Sequence, residues 1–73
     1  MFTIRINIGT ENKTVVFYFV HKDKFKLSEQ EQVQAFDKAV KELDHIYSDY
    51  GRFATETGVT KLFGSFGFER TKP

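Results

Sequence analysis

The sequence predicts an α+β fold, in which one amphipathic helix packs across one face of a small antiparallel β-sheet. Two observations support this prediction. Apolar residues occur at every second position near the N-terminus and at every third or fourth position between residues 28 and 50. Strand-like segments lie on both sides of the helical segment, so we expect three to four strands in the order ββαβ or ββαββ.

The first predicted strand runs from Phe2 to Ile8. Its sequence, F-T-I-R-I-N-I, alternates apolar and polar residues throughout, which is typical of a strand with one buried face. Phe2 and the three isoleucines should face the core, and Arg5 should face outward. Residues 9–13 are polar and turn-forming, and their number suits a β-hairpin.

The second predicted strand covers residues 14–21 and is apolar on both faces. A turn centred near Glu11 and Asn12 would place one set of side chains beside the isoleucines and the other set on the face away from the helix. The first set is Val15, Phe17 and Phe19, and the second set is Val16, Tyr18 and Val20. A slip of one residue in register would exchange the two sets.

The predicted helix begins at Ser28 and ends near Gly51. Ser28 and Glu31 form an S-x-x-E capping box, in which each side chain satisfies a free backbone amide at the helix start. The segment contains six acidic residues and two lysines, and its polar side presents Glu42 and Asp49 to solvent. Apolar residues follow the cap at spacings of three and four, which places them on one side of the helix: Val33, Phe36, Val40, Leu43, Tyr47 and Tyr50.

The segment after the helix is compatible with two arrangements of strands. Residues 59–63 have a strand-like composition, and Gly64-Ser65 would form a two-residue hairpin into residues 66–70. The alternative is one long, bent strand over residues 59–70 with bulges at its glycines. The chain should be a single domain with a flexible tail at residues 71–73.

The composition limits the kind of protein. The 73 residues include no cysteine, which excludes disulfides and cysteine-based zinc sites. Nine Phe and three Tyr supply the core, and a stable dimer would add stability to so small a chain. The N-terminus does not resemble a signal peptide, and no apolar stretch reaches the roughly 18 residues of a membrane span. We therefore expect a soluble, cytoplasmic protein without membrane contact.

No catalytic or cofactor site can be assembled from the sequence. The chain has three serines, and none belongs to a recognisable set of nucleophile, base and orienting group. Phosphate-binding and dinucleotide-binding motifs are missing. Glu42 and His45 form the E-x-x-H pair of di-iron helical bundles, but this pair lies opposite the apolar side of the helix and faces water. We expect no enzyme activity, no cofactor and no metal.

Nucleic-acid binding is the alternative function. Phe66, Gly67 and Phe68 match the RNP1 motif of RNA-recognition domains, whose strand aromatics stack on bases, and four other positions of that motif differ. The connector before the helix is basic and could contact phosphates through Lys22, Lys24 and Lys26. The net charge of +1 is small for a nucleic-acid-binding protein.

The face of the second strand away from the helix gives the strongest indication of function. One helix covers one face of a sheet, so Val16, Tyr18 and Val20 would form an exposed apolar patch beside Arg5. Patches of this kind mark interaction sites, and Tyr and Arg are common interface anchors. In the competing interpretation, a late strand or the connector with Phe25 folds over the patch. We also expect Phe25 and Leu27 to pack beneath the sheet edge or the helix start.

The sequence therefore predicts a small, non-enzymatic protein-binding module that occludes a site on a protein partner. Small cysteine-free chains without catalytic sites are typical of phage-encoded inhibitors of host defence, anti-CRISPR proteins among them, which act in the host cytoplasm. No motif here identifies such a family, and a homodimer through the sheet face is a further expectation. The candidate partner-binding residues are Arg5, Val16, Tyr18 and Val20 on the sheet and Glu42 and Asp49 on the helix.

Overall fold

The computed structural model describes residues 1–48 and 53–73, and within these ranges it contains a three-stranded sheet and two helices. The strands form one antiparallel sheet in the order β1-β2-β3, so β2 is central. This architecture confirms the α+β class. The elements in chain order are β1 (Phe2–Ile8), β2 (Lys13–His21), α1 (Glu29–Ser48), α2 (Glu56–Ser65) and β3 (Phe68–Arg70).

The hairpin between β1 and β2 has the predicted register. Ile4 lies opposite Phe17, and Thr3 lies opposite Tyr18. The turn between the strands uses positive φ angles at Gly9 (73°) and Asn12 (54°). Glycine and asparagine tolerate this left-handed conformation better than most residues. The turn therefore fixes which set of β2 side chains shares a face with the isoleucines.

Both helices cover the same face of the sheet. The ring of Phe63 on α2 stacks on Phe19 of β2, with centroids 4.6 Å apart and planes at 8°. The ring of Phe36 on α1 stacks on Phe2 of β1 at 4.9 Å. Each such ring removes roughly 150–250 Å² of surface from water, which is how a short chain builds a core without disulfides. The buried hydrophobic residues are Phe17, Phe19, Ala39, Leu43, Ala54, Val59, Phe63 and Phe68.

The start of α1 confirms the predicted capping box. The Ser28 hydroxyl accepts a hydrogen bond from the Glu31 amide, and the Glu31 carboxylate accepts one from the Ser28 amide, both at 3.1 Å. Hydrogen bonds from the Ser28 backbone and then from its side chain hold the pKa of the Glu31 carboxyl below its usual value.

The apolar side of α1 matches the prediction except at its first turns. Val33 is 50 % exposed, whereas Ala39, which is not among the predicted stripe residues, is fully buried. The predicted end of the helix at Gly51, and the stripe residue Tyr50, lie outside the described residues. In the part of the chain that is described, no helix is both long and apolar enough to cross a membrane.

The strand predicted at residues 59–63 is wrong, because this segment lies within helix α2. Thr55 caps the helix, and its hydroxyl accepts a hydrogen bond from the Gly58 amide at 3.0 Å. Val59 and Phe63, four residues apart, fall on one side of the helix and are fully buried. Their β-forming composition therefore yields to the tertiary contact with the sheet. The observed order is ββααβ.

Neither predicted form of residues 59–70, the hairpin at Gly64-Ser65 or the long bent strand, is present. The chain leaves α2 and enters the three-residue strand β3 through Gly67, which has φ of 91°. A Cβ atom at this position would lie 2.5 Å from His21 Nε2. Glycine is therefore needed both for the backbone angle and for the close approach to the buried His21 ring.

Candidate protein-interaction surface

The side of the sheet away from the helices carries most of the residues that the sequence marked for partner binding. Side chains alternate along a strand. The β2 residues that alternate with the buried Phe17 and Phe19 therefore point away from the core. We call this surface the open face. It consists of Thr3, Arg5, Asn7, Thr14, Val16, Tyr18, Val20 and Glu69.

The open face has an apolar centre and polar edges. Its centre is a column on β2 formed by Val16, Tyr18 and Val20, each of which is partly exposed. Arg5 of β1 lies opposite Val16, and Glu69 of β3 lies opposite Val20. An apolar centre with a polar rim is the usual anatomy of a protein interface.

Neither segment that might have covered the open face does so. The last strand, β3, pairs with the edge of β2 and widens the sheet instead of crossing it. Phe25 is 93 % exposed, so it buries almost none of its surface, and the prediction that it packs beneath the sheet edge or the helix start is wrong. Its turn is held by hydrogen bonds from the amides of Lys26 and Leu27 to the Asp23 carbonyl, at 2.8 and 2.9 Å.

Three polar groups of the open face have no partner in the described chain. The exposed side chains of Arg5 and Glu69 form neither a hydrogen bond nor an ion pair with any described residue, and the Tyr18 hydroxyl forms no hydrogen bond there. Thr14 is satisfied, because its hydroxyl donates to Asn7 Oδ1 at 3.0 Å. The open face therefore offers a cation, an anion and a phenol to an incoming surface.

Arg70, at the rim of the helix-covered face, shows the opposite behaviour. Its Nη1 atom lies 3.3 Å from Glu56 Oε1 and 3.2 Å from Thr60 Oγ1. Its guanidinium carbon lies 4.5 Å from the centroid of the Phe17 ring, which is a cation–π contact. This arginine is used within the fold, whereas Arg5 is not.

The one described helix residue that was predicted to bind a partner, Glu42, belongs to a different surface. Glu42 is exposed on α1, which lies on the covered side of the sheet, and Asp49 lies outside the described residues. His45, the other member of the E-x-x-H pair, is also exposed. Among residues 1–48 and 53–73, no group of three His, Asp or Glu side chains is arranged to hold a metal ion. The predicted set thus divides into four sheet residues that come together and one described helix residue apart from them.

The aromatic residues proposed to stack on bases are largely unavailable. Phe68 is 2 % exposed and makes edge-to-face contacts with Phe2 and Phe36, so its role in the RNP1 comparison is wrong. Phe66 is partly buried against the core. The connector lysines are exposed, and Lys24 Nζ lies 5.3 Å from the centroid of the Phe25 ring. This turn keeps the combination of aromatic and cation that the prediction required.

A cavity of about 440 Å³ opens between β1 and the C-terminal half of α1. Apolar side chains such as Ile4, Leu43 and Phe53 line it, and Arg5 and Asp44 are the charged residues of its described lining.

Glu69 is the residue that sequence reasoning missed. Its place on the open face follows from the pairing of β3 with β2, which joins segments almost fifty residues apart. Comparisons of the chain with protein-family models, with curated proteins and with solved structures found no match. We therefore infer the function from the geometry of this surface.

Proposed function

We propose that this chain is a small, non-enzymatic protein-binding module that acts through the open face. The observation that supports the proposal most directly is the uncovered column of Val16, Tyr18 and Val20 between polar edges. Both helices lie on the other side of the sheet, so association with a protein is the available way to remove this apolar column from water.

The anchors of such an interface would be Tyr18 and Arg5. Tyrosine and arginine are enriched among residues whose removal costs 2 kcal/mol or more of binding energy, as a rough guide, and these residues concentrate at interface centres. Tyr18 occupies the middle of the column, and its ring can be buried while its hydroxyl bonds to the partner. Arg5 lies at the edge, where a charge affects orientation and association rate more than affinity.

The size of the open face suggests modest affinity. The strands contain seven, nine and three residues. At about 3.4 Å per residue and about 4.8 Å between strands, they give a footprint near 310 Å². Standard interfaces bury roughly 800 Å² of accessible surface on each partner. The partner would therefore bind in the weak to intermediate range, or would also contact the turns at the ends of the strands.

An inhibitor that occludes a site on its target is the biological role we favour. An uncovered sheet face on a chain of 73 residues suits a protein whose task is to cover a site on another protein. Phage-encoded inhibitors of host defence, including anti-CRISPR proteins, are of this size and would act in the host cytoplasm. The acidic side of α1, with Glu42, is the second surface through which such an inhibitor could bind.

The test is affinity capture from the relevant cells, followed by reconstitution with the purified partner. Wild type is compared with Tyr18→Asp on the open face, with Glu42→Lys on α1, and with Gln34→Asp as a matched control on an exposed helix position. We expect Tyr18→Asp to weaken binding at least about thirty-fold, which corresponds to a hot-spot residue. Gln34→Asp should bind like wild type.

Two outcomes would reject the open face. A folded Tyr18→Asp variant that binds the partner normally would show that the column is not the contact. Loss of binding in Glu42→Lys alone would show that the partner binds the acidic side of α1. Circular dichroism of each variant separates loss of contact from loss of structure.

Nucleic-acid binding is a second candidate, favoured by the exposed Phe25 among three lysines on one ordered turn. A labelled single-stranded oligonucleotide, titrated at two salt concentrations, tests it. Three phosphate contacts on a single strand predict a slope of about −2 for log K against log salt. Phe25→Ala should weaken this binding by removing a stacking ring. Absence of binding at low salt would reject the candidate.

A further inference from the structure

We infer that the open face binds a second copy of this chain, in a two-fold symmetric dimer that pairs Arg5 of each copy with Glu69 of the other. The inference rests on the proposed function, because it takes the open face as the binding surface and names its occupant. Three observations lead to it: the positions of the two charges, their lack of partners, and the aromatic residue between them.

The two charges lie on a diagonal across Tyr18. Arg5 is level with Val16, and Glu69 is level with Val20. These two valines lie two residues before and two residues after Tyr18 on the central strand. Because β1 and β3 flank β2 on opposite sides, Arg5 and Glu69 are displaced from Tyr18 by equal amounts in opposite directions.

This arrangement is self-complementary under one particular symmetry axis. A two-fold axis that runs in the interface above Tyr18, perpendicular to the diagonal, places each Arg5 over the Glu69 of the second copy. It also brings the two Tyr18 rings together at the centre. A two-fold interface requires this property, since the same patch must complement itself.

The choice of axis determines the angle at which the strands of the two sheets cross. With strands about 4.8 Å apart and a rise of about 3.4 Å per residue, the chosen axis makes the strands of the two sheets cross at about 70°. This angle is close to the orthogonal class of sheet-on-sheet packing. Axes parallel or perpendicular to the strands would leave Arg5 and Glu69 far apart.

The charge pair would form without breaking any contact within the chain. Arg5 and Glu69 are exposed and unpaired among the described residues, in contrast to Arg70, which already contacts Glu56 and Thr60. The dimer would also cover the apolar column on both copies at once. Because the open face is small, we expect a reversible dimer with a dissociation constant of the order of 1–100 µM.

A charge-swap series measured by analytical ultracentrifugation tests the inference. Arg5→Glu and Glu69→Arg each place like charges together, and each should weaken the dimer about tenfold or more. The double variant reverses both charges and should restore dimerisation to within about threefold of wild type. Lys61→Glu, at an exposed position on α2 without an ion pair among the described residues, is the matched control and should dimerise normally.

A cysteine cross-link gives an independent readout, because the natural chain has no cysteine. Tyr18→Cys places a thiol near the symmetry axis. Because packed sheets lie about 10 Å apart, which is too far for a direct disulfide, a short bis-maleimide should join the two copies through these thiols. Thr14→Cys, four residues along the same strand, should not be cross-linked, because its symmetry mate lies about 20 Å away.

The outcomes separate this inference from the proposed function. A wild-type chain that stays monomeric up to about 300 µM, or a double variant that fails to recover, overturns the Arg5–Glu69 dimer. If such a chain still binds another protein through Tyr18, the proposed function stands while the inference falls. If Tyr18→Asp changes neither self-association nor partner binding, both fall.

Discussion

The two faces of β2 differ in burial although both are apolar. Phe17 and Phe19 on one face are fully buried, and Phe19 stacks on Phe63 of α2. Val16 and Tyr18, in alternate positions on the same strand, stay partly exposed. The residue types on the two faces are equally suited to a core. The difference lies in what the rest of the chain places against each face. Hydrophobic side chains can be buried on either face, and the topology determines which of the two faces the helices cover.

The arginines repeat this contrast. Arg70 lies at the edge of the covered face, where a carboxylate, a hydroxyl and an aromatic ring surround its guanidinium. Arg5 lies on the open face with no partner among the described residues. Since the fold uses Arg70 on one face and leaves the side chains of Arg5 and Glu69 without a partner among the described residues on the other, stability and binding should be separable by mutation.

The largest difference between the faces should appear when neighbouring residues of β2 are truncated. Phe19→Ala removes a fully buried ring and should cost about 3–5 kcal/mol of unfolding free energy, enough to unfold much of so small a domain. Val20→Ala on the open face should cost less than about 1 kcal/mol. Urea unfolding followed by circular dichroism measures both. Equal losses would mean that the open face is packed as tightly as the covered one.

A second comparison concerns two glycines near the start of β3. Gly67→Ala must place a Cβ against the His21 ring at a positive φ, and it should cost about 1–3 kcal/mol. Gly64→Ala lies in α2 with open space around it and should stabilise the protein by up to about 1 kcal/mol. Thermal melts of the two variants should therefore shift in opposite directions, and a stable Gly67→Ala protein would contradict the close packing of His21.

A smaller effect is expected at the caps of the helices that cover the sheet. Thr55→Ala and Ser28→Ala each remove a hydroxyl that accepts a hydrogen bond from a backbone amide, and each should cost about 1 kcal/mol. Thr55→Ser keeps the hydroxyl and is the control for the first. A neutral Thr55→Ala would contradict helix α2 and would favour the strand that the sequence predicts there.

The smallest effect should be the pH dependence at Glu31. Its pKa is lowered in the folded state, so the ionised carboxylate contributes stability above the ordinary pKa of a glutamate, and this contribution is lost as the pH falls through the lowered value. The stability difference between wild type and Glu31→Gln should therefore be constant near neutral pH and shrink on acidification. Urea unfolding at several pH values measures it, and a difference that grows in acid would contradict the sign.

The predictable part of the fold depended on short-range patterns. The hairpin register followed from strict alternation in residues 2–8 and from the turn-forming residues after it, and the start of α1 followed from Ser28 and Glu31. Both depend on residues close in sequence, so the sequence displays them directly.

Helix α2 was harder to predict, because its residue types are typical of strands and turns. Val59 and Phe63 have β-forming side chains, and Gly58 and Gly64 suggest turns, yet all four lie in the helix. The spacing of four between Val59 and Phe63 was visible in the sequence. It indicates a helix only when a sheet face is available for both side chains to cover. The same limit applies to the open face, where Glu69 joined the predicted residues through pairing between distant segments.

The pairing of both outer strands with β2 also brings the two ends of the described chain together. Continuing the register places Met1 opposite Val20, and the Thr71 amide donates to the Tyr18 carbonyl at 2.8 Å. Two strand spacings and two residues of offset separate Met1 from Thr71 by about 12 Å. A linker of about four residues could therefore join Thr71 to Met1, with new termini opened in the turn at residues 9–12. A peptide fused directly before Met1 or after Thr71 would emerge beside Val20 or Tyr18, so the placement of a tag is itself a probe of that surface.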